Sequence, residues 1–152
     1  MRAVIQRVRE ASVKVDGNEY SRIGAGLLVF LGVAAADGDR EISWMAGKIL
    51  NMRIFEDGKG KMNCSVLDTG GGVLVVSQFT LYADTTRGNR PGFSGAAPFD
   101  DARETYNRFI DHIRSSCSLC IETGSFGAGM EVGLVNDGPV TLIVDTPGSS
   151  DE

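Results

Sequence analysis

The chain has 152 residues, 42% of them apolar and 23% charged, which is the composition of folded globular material and excludes a disordered tail or a membrane span as its main body. A chain of this length buries roughly 68–70% of its unfolded surface, so its core needs no metal or disulfide to hold it. Fifteen Lys and Arg against twenty Asp and Glu give a net charge of −5, and a protein that wraps many phosphates is excluded because each such contact needs its own cation.

The chain opens with strands. Residues 2–8 and 11–15 alternate apolar and polar side chains, and Asp16-Gly17-Asn18 is hairpin chemistry before a second strand over 19–23. The same opening, MRAVIQRVREASVKV, has no continuous apolar leader core, so a cytoplasmic, reduced protein is expected. GLLVFLGV at 26–33 is a glycine-bounded apolar run too short for a membrane and predicts a strand buried on both faces. From Asp39, an N-cap candidate, Ile42, Met45, Ala46, Ile49 and Leu50 recur at helical spacing to about Asn51. A short strand is expected at 53–55, a turn at 57–60, a glycine-rich turn at 68–72 and a central strand, VLVVSQF, at 73–79. Residues 83–98 carry Gly88, Gly92, Gly95, Pro91 and Pro98 and predict a long loop of the kind usually kept for function. A second helix follows over 100–116 with Ala102, Tyr106, Phe109, Ile110 and Ile113 on one face. Strands at 119–123, 131–135 and 140–144 finish the chain, the last two joined by a turn at Asn136-Asp137-Gly138-Pro139. One domain over 1–145 and a short tail over 146–152 are expected.

Two segments carry candidate chemistry. Ser77-Gln78-Phe79-Thr80 brings hydroxyls and an amide to the end of a buried strand, where strand alternation would put Gln78 and Thr80 on one face and Ser77 and Phe79 on the other. Alone, the segment also reads as a strand terminus whose hydroxyls bond local backbone. Asn136-Asp137-Gly138-Pro139 combines hairpin residues with a proline that removes a ladder donor, and by itself reads as an ordinary trans Gly-Pro turn. The one histidine, His112, lies inside the second helix, away from either segment, so a Ser-His-Asp or Cys-His engine is not expected. Cys64, Cys117 and Cys120 include one C-x-x-C but no second pair to close a zinc site; Cys117 and Cys120 are expected to be small, half-buried and unreactive. An enzyme without a local general base is restricted to substrates that are already activated or bring their own catalytic group.

SQFTLYAD at 77–84 and NDGPVT at 136–141 resemble the two signature motifs of the D-aminoacyl-tRNA deacylases. MRAVIQRV, GLLVFLGV, KILNMRIFED, GKMNCSV, RPGF and TGSFGAGMEVGLVNDGPVT are similar to that family in order and spacing, so the resemblance covers the chain up to about residue 145. It implies an α/β fold with mixed β-sheets packed face to face and two main helices on one side. It also implies a homodimer in which Gly138-Pro139 is cis and reaches into the partner subunit's site, rejecting L-aminoacyl-tRNA. Ser77, Gln78 and Thr80 would be the catalytic residues, with Phe79, Phe126 and Met130 beside Gly138 and Pro139 as substrate-binding residues. The implied reaction is hydrolysis of the ester that joins a D-amino acid, or the glycine mischarged on tRNA(Ala), to the tRNA acceptor end, with no metal, no cofactor and no membrane partner. Arg87 and Arg90 are the RNA-contact candidates, the negative net charge fitting a grip on the acceptor end alone. Two other readings are a noncatalytic module that binds the acceptor end and an esterase in which the Thr80 hydroxyl is the nucleophile.

Overall fold

The first strand is long and changes phase part-way. In the computed structural model, which describes residues 1–148, β1 (Arg2–Val15) turns Ala3 and Ile5 into one core and Val8, Ala11 and Val13 into another. Successive strand residues face opposite ways, so residues 8 and 11 share a face only through an irregularity, and the register against the last strand shifts between Val8 and Glu10. Asp16 and Gly17, at φ 50° and 76°, turn the chain into β2 (Asn18–Ile23) as expected. β3 (Gly26–Gly32) then runs back along the first half of β1. Its Leu27, Val29 and Leu31 enter the first core and Leu28 the second, so both faces are covered.

Helix α1 (Asp39–Asn51) lays Ile42, Met45, Ala46, Ile49 and Leu50 on the first core. Its N-cap is Gly38 rather than Asp39, and the Glu41 carboxylate accepts the Gly38 N–H at 2.9 Å, a bond that also holds the Glu41 carboxyl below its ordinary pKa. The short strand comes two residues later than predicted: β4 (Phe55–Glu56) pairs with β5 (Met62–Cys64) across the expected turn. Where the sequence suggested only a glycine-rich turn, Ser65 and Asp68 close a reciprocal capping box and start α2 (Val66–Thr69), which Gly70 ends at φ 70°. β6 (Gly72–Ser77) runs parallel to β3, helix α3 (Phe99–Ser116) buries Tyr106, Phe109, Ile110 and Ile113 in the first core, and β7 (Ile121–Thr123) runs parallel to β6.

The largest departure lies in the last strand. Residues 131–135 and 140–144 do not form a hairpin: both belong to β8 (Glu131–Asp145), antiparallel to β1 from Lys14 opposite Glu131 to Arg2 opposite Asp145. Val8 faces Asn136 while Gln6 faces Thr141, so residues 137–140 stand out of the ladder as a bulge. The long β1 gives both halves the same partner, and that outweighs the turn preference of Asp-Gly.

The strand order is β2-β1-β3-β6-β7 with β8 on the other side of β1, a mixed sheet of six strands beside the β4–β5 ribbon. The α/β class is as predicted. The face-to-face packing comes from this one sheet curling on itself, so that β1, β2, β3 and β6 share the second core while α1 and α3 cover the other face. Among the described residues no helix is long and apolar enough to cross a membrane. Of the tail expected from residue 146, residues 149–152 lie outside the described residues.

Gly26 in the sheet leaves no room for a side chain: an added Cβ would lie 1.9 Å from the Gly72 carbonyl oxygen. That neighbour is main chain and cannot rotate away. Gly26→Ala should force β3 from β6 and cost about 2–3 kcal/mol, as overpacking does, lowering Tm by about 5–10 °C; thermal unfolding of the variant measures it, and an unchanged Tm contradicts the close pairing.

Candidate active site

The three parallel strands end at one place, and a cavity of about 480 Å³ opens there. Val33 follows β3, Ser77 ends β6 with Gln78 and Phe79 just after it, and Phe126, Gly127, Ala128 and Met130 follow β7. Ala97, Phe99 and Ala102 from the start of α3 and Val132 from β8 close its sides. A crevice beyond the carboxyl ends of parallel strands is where α/β sheets bind ligands, because the strands diverge there and their loops are free to vary. Aromatic contacts fix the walls: Phe126 lies 5.3 Å from Phe99 and 5.5 Å from Tyr106 between ring centroids, and the Tyr106 hydroxyl donates to the Val75 carbonyl at 2.8 Å.

β6 ends at Ser77, and residues Phe79–Tyr82 form a single 3-10 turn, so strand alternation fails from Gln78 onward. Instead of lying on opposite faces, Ser77, Gln78 and Phe79 all line the cavity. The Gln78 amide nitrogen donates to the Thr80 hydroxyl at 2.5 Å. Thr80 itself is exposed and stands beside the cavity rather than in its lining. The Gln78 N–H donates to the Leu31 carbonyl at 2.8 Å, which ties the turn to the end of β3.

Arg87 and Arg90 are exposed on the loop that Asp84 and Gly92 close through two backbone hydrogen bonds, 2.7 and 2.9 Å. Asp84 also accepts the Thr86 hydroxyl and N–H at 2.7 and 2.9 Å, which lowers its pKa and makes it a firm base for the loop. Phe93, just past the closure, meets Phe79 edge-on at 5.1 Å, so the loop stands at the cavity mouth.

Gly138 and Pro139 are not on this cavity. They are exposed on the β8 bulge, joined by a cis peptide bond. Asn136 closes the base of the bulge: its amide nitrogen donates to Gln6 Oε1 (3.0 Å), the Val140 carbonyl (3.1 Å) and the Thr141 hydroxyl (3.2 Å), and its oxygen accepts the Val140 N–H (2.9 Å). Arg7, 6% exposed, donates through Nε to the Asp137 carbonyl (2.9 Å) and through Nη1 to the Ile54 carbonyl (2.7 Å).

The histidine and cysteines lie elsewhere. His112 Nε2 is 3.5 Å from the Ser43 hydroxyl, between the two helices. Cys117 is half-buried as expected and bonds the Ile113 carbonyl, whereas Cys120 is exposed rather than half-buried, its thiol still pushed up by partial desolvation and by Glu122. Among the described residues no three His, Cys, Asp or Glu side chains are grouped to hold a metal.

The sequence model described as "D-Tyr-tRNA(Tyr) deacylase" matches residues 4–145. The chain belongs to that deacylase family. The D-aminoacyl-tRNA deacylase of Prosthecochloris aestuarii is 58% identical over 97% of this chain and 100% of its own length, and that of Chlorobaculum parvum 55% identical over 97% and 99%. Among solved structures, the c-Myc DNA Unwinding Element Binding Protein superposes with a TM-score of 0.93 at 44% identity, covering 97% of this chain and 100% of that one. A structure titled as a probable eukaryotic D-amino acid tRNA deacylase has the same fold, with a TM-score of 0.81 at 18% identity over 95% and 98% of the two chains. The chain is thus an enzyme of a hydrolase family, as its motifs implied.

For this deacylase, sequence reasoning missed Arg7 and the role of Asn136. A signal for Arg7 was present: it follows Ala3 and Ile5 in the buried phase of β1, where a charge must have dedicated partners. Phe93 and Phe99 gave no such signal, because a ring in a glycine-rich loop or at the first position of a helix does not say what it will touch.

Two outcomes follow. Arg7→Ala leaves the Asp137 and Ile54 carbonyls without their donor and should cost about 2–3 kcal/mol, with faster hydrogen exchange over residues 137–140; unchanged exchange there would show that Arg7 does not hold the bulge. Cys117→Ser and Cys120→Ser should keep full hydrolytic activity, and Cys120, kept as a thiol, should alkylate slowly at pH 7–8; loss of activity in either variant would give the cysteines a role the geometry does not.

Proposed function

We propose that this protein hydrolyses the ester joining a D-amino acid, or glycine, to the terminal adenosine of tRNA, and that it does so in the cavity beyond β3, β6 and β7. One observation supports this above the rest: among the described residues, the cavity lining includes no Asp, Glu, His, Cys, Lys or Arg. Such a site has no acid or base to activate a poor substrate. An aminoacyl ester is already activated, and the ribose hydroxyl next to it positions or activates water from within the substrate, as an intramolecular group does at high effective concentration. The protein's part is to orient the ester and to stabilise the oxyanion with backbone N–H groups and the polar side chains of Ser77-Gln78-Phe79-Thr80.

Thr80 is then an orienting group. Its hydroxyl is engaged by Gln78, which donates and cannot accept a proton through its amide nitrogen, so a nucleophilic role lacks a base. Arg87 and Arg90, exposed at the mouth and without an ion pair among the described residues, suit the phosphates of the acceptor end. Few cations are needed for so short a grip, which agrees with the negative net charge.

Discrimination between mirror images falls to Gly138-Pro139 of a second copy. The bulge lies off its own cavity, while Leu134, Val135 and Ile143 on β8 are 36%, 46% and 72% exposed and that strand pairs only with β1. An apolar strand with a free edge suits an isologous contact with the same strand of another copy. A main-chain wall set against the substrate Cα would exclude an L side chain by clash and admit hydrogen, so glycine passes with D-amino acids.

Deacylation of D-tyrosyl-, glycyl- and L-tyrosyl-tRNA by the purified protein tests this reading: the first two should be cleaved and the third spared, and cleavage of the L ester at a comparable rate would refute it. Ala128→Trp, which fills the cavity, should abolish turnover. Ser77→Ala and Thr80→Ala should each lose no more than the ~10²–10³-fold that removal of one hydrogen-bond donor costs. An acyl-enzyme trapped on Thr80, together with complete inactivity of a folded Thr80→Ala dimer, would make Thr80 the nucleophile instead.

A further inference from the structure

The 3-10 turn Phe79–Tyr82 has no fully buried residue, Leu81 and Tyr82 being half-buried, so its position depends also on its hydrogen bonds. At its leading end the Gln78 N–H donates to the Leu31 carbonyl. At its trailing end, among the described residues, the one side chain that bonds its main chain is Arg2, whose Nη1 donates to the Leu81 carbonyl at 3.2 Å. The same guanidinium lies 5.5 Å from the Tyr82 ring centroid. Its remaining donors meet both oxygens of Asp145, Nε to Oδ1 at 2.7 Å and Nη2 to Oδ2 at 3.4 Å. Behind the turn, the Tyr82 ring lies over Gly32, where an added Cβ would come within 3.2 Å of two ring carbons, so the ring takes the space that a side chain there would need.

We propose that Arg2 is a positioning residue of the reaction, holding the Ser77–Thr80 segment against the ester by clamping the 3-10 turn to the end of β8. The assignment rests on the proposed cavity reading. Contacts to the Leu81 carbonyl, to both Asp145 oxygens and to the Tyr82 ring use the planar, five-donor geometry of a guanidinium, which the single ammonium of lysine cannot reproduce. Arg2 and Asp145 side chains are 40% and 50% exposed, and an ion pair so open to solvent adds little to global stability. A residue that positions therefore separates here from one that merely stabilises: its loss should move turnover and leave the fold almost as firm.

The test is single-turnover and steady-state deacylation of D-tyrosyl-tRNA, with thermal unfolding of each variant. Arg2→Lys and Arg2→Ala should both lower kcat by about 10–100-fold, the scale of a reacting group misplaced by about 1 Å. KM should stay within about twofold and Tm within about 3 °C. Asp145→Asn, which weakens the fork and leaves the Leu81 bond, should lose less, and the Arg2→Ala/Asp145→Asn double variant should be no worse than Arg2→Ala, since both act through one clamp. Unchanged kcat in the Arg2 variants, full rescue by lysine, or a loss that tracks Tm or sits in KM would overturn the proposal. Ala128→Trp assayed in parallel separates the two failures: if it is inactive while Arg2→Ala is normal, only the role of Arg2 falls, and if it is fully active the cavity reading falls with it.

Discussion

β8 spans Glu131–Asp145, 15 residues, against a stretch of β1 that runs only from Arg2 to Lys14. The net surplus of two leaves the ladder: residues 137–140 stand opposite the single residue Arg7, and Arg9 on β1 is left without a partner in return. A bulge of this length would be floppy without partners, because its amides and carbonyls have left the sheet. Asn136 ties its two ends together and Arg7 holds its outer carbonyl from inside the protein. The Gly138-Pro139 pair is thus carried on an edge strand, held at its base and presented outward.

The cavity follows from a different constraint. β3, β6 and β7 are parallel, so their carboxyl ends and the loops after them meet on one side of the sheet. Small residues, Ala97, Ala102, Gly127 and Ala128, leave the space, and Phe79, Phe99, Phe126 and Met130 shape it. Among the described residues no Asp, Glu, His, Cys, Lys or Arg lines it, as the proposed reaction, whose substrate supplies both activation and a neighbouring hydroxyl, would require. Under the proposed function, selectivity depends on shape and main chain rather than on the pKa of a catalytic pair.

Much of this was legible in the sequence where one physical signal dominated. The periods of α1 and α3, the two-faced burial of 26–32 and the Asp16-Gly17 turn all stand where predicted. The motifs marked Ser77, Gln78, Phe79, Phe126 and Met130, which share one cavity. The errors arise where long-range pairing overrode a local preference. Asp137-Gly138 is hairpin chemistry, but β1 is long enough to pair with both flanks and the chain goes straight on. Gln78 and Thr80 continue an apolar strand in sequence, yet β6 loses its pairing after Ser77 opposite Leu31 and the chain tightens into a turn. Which rings would meet across the mouth, Phe79 with Phe93 and Phe99 with Phe126, depended on the packing of three separate loops, which no local pattern encodes.

The central claim is that a cavity from one copy and a bulge from another make one site in the proposed dimer, and subunit complementation addresses it directly. One parent carries Ala128→Trp, which blocks the cavity, and the other carries Gly138→Val with Pro139→Ala, which spoils the wall. Unfolded together and refolded as an equal mixture, half of the dimers are mixed, and each mixed dimer rebuilds one intact pairing of cavity and bulge. The account predicts D-selective hydrolysis of tyrosyl-tRNA restored to about a quarter of the wild-type level, as a two-fold dimer with shared sites requires. A mixture with no more D-selective activity than the two parents refolded apart would contradict it, because each copy would then have been using its own bulge.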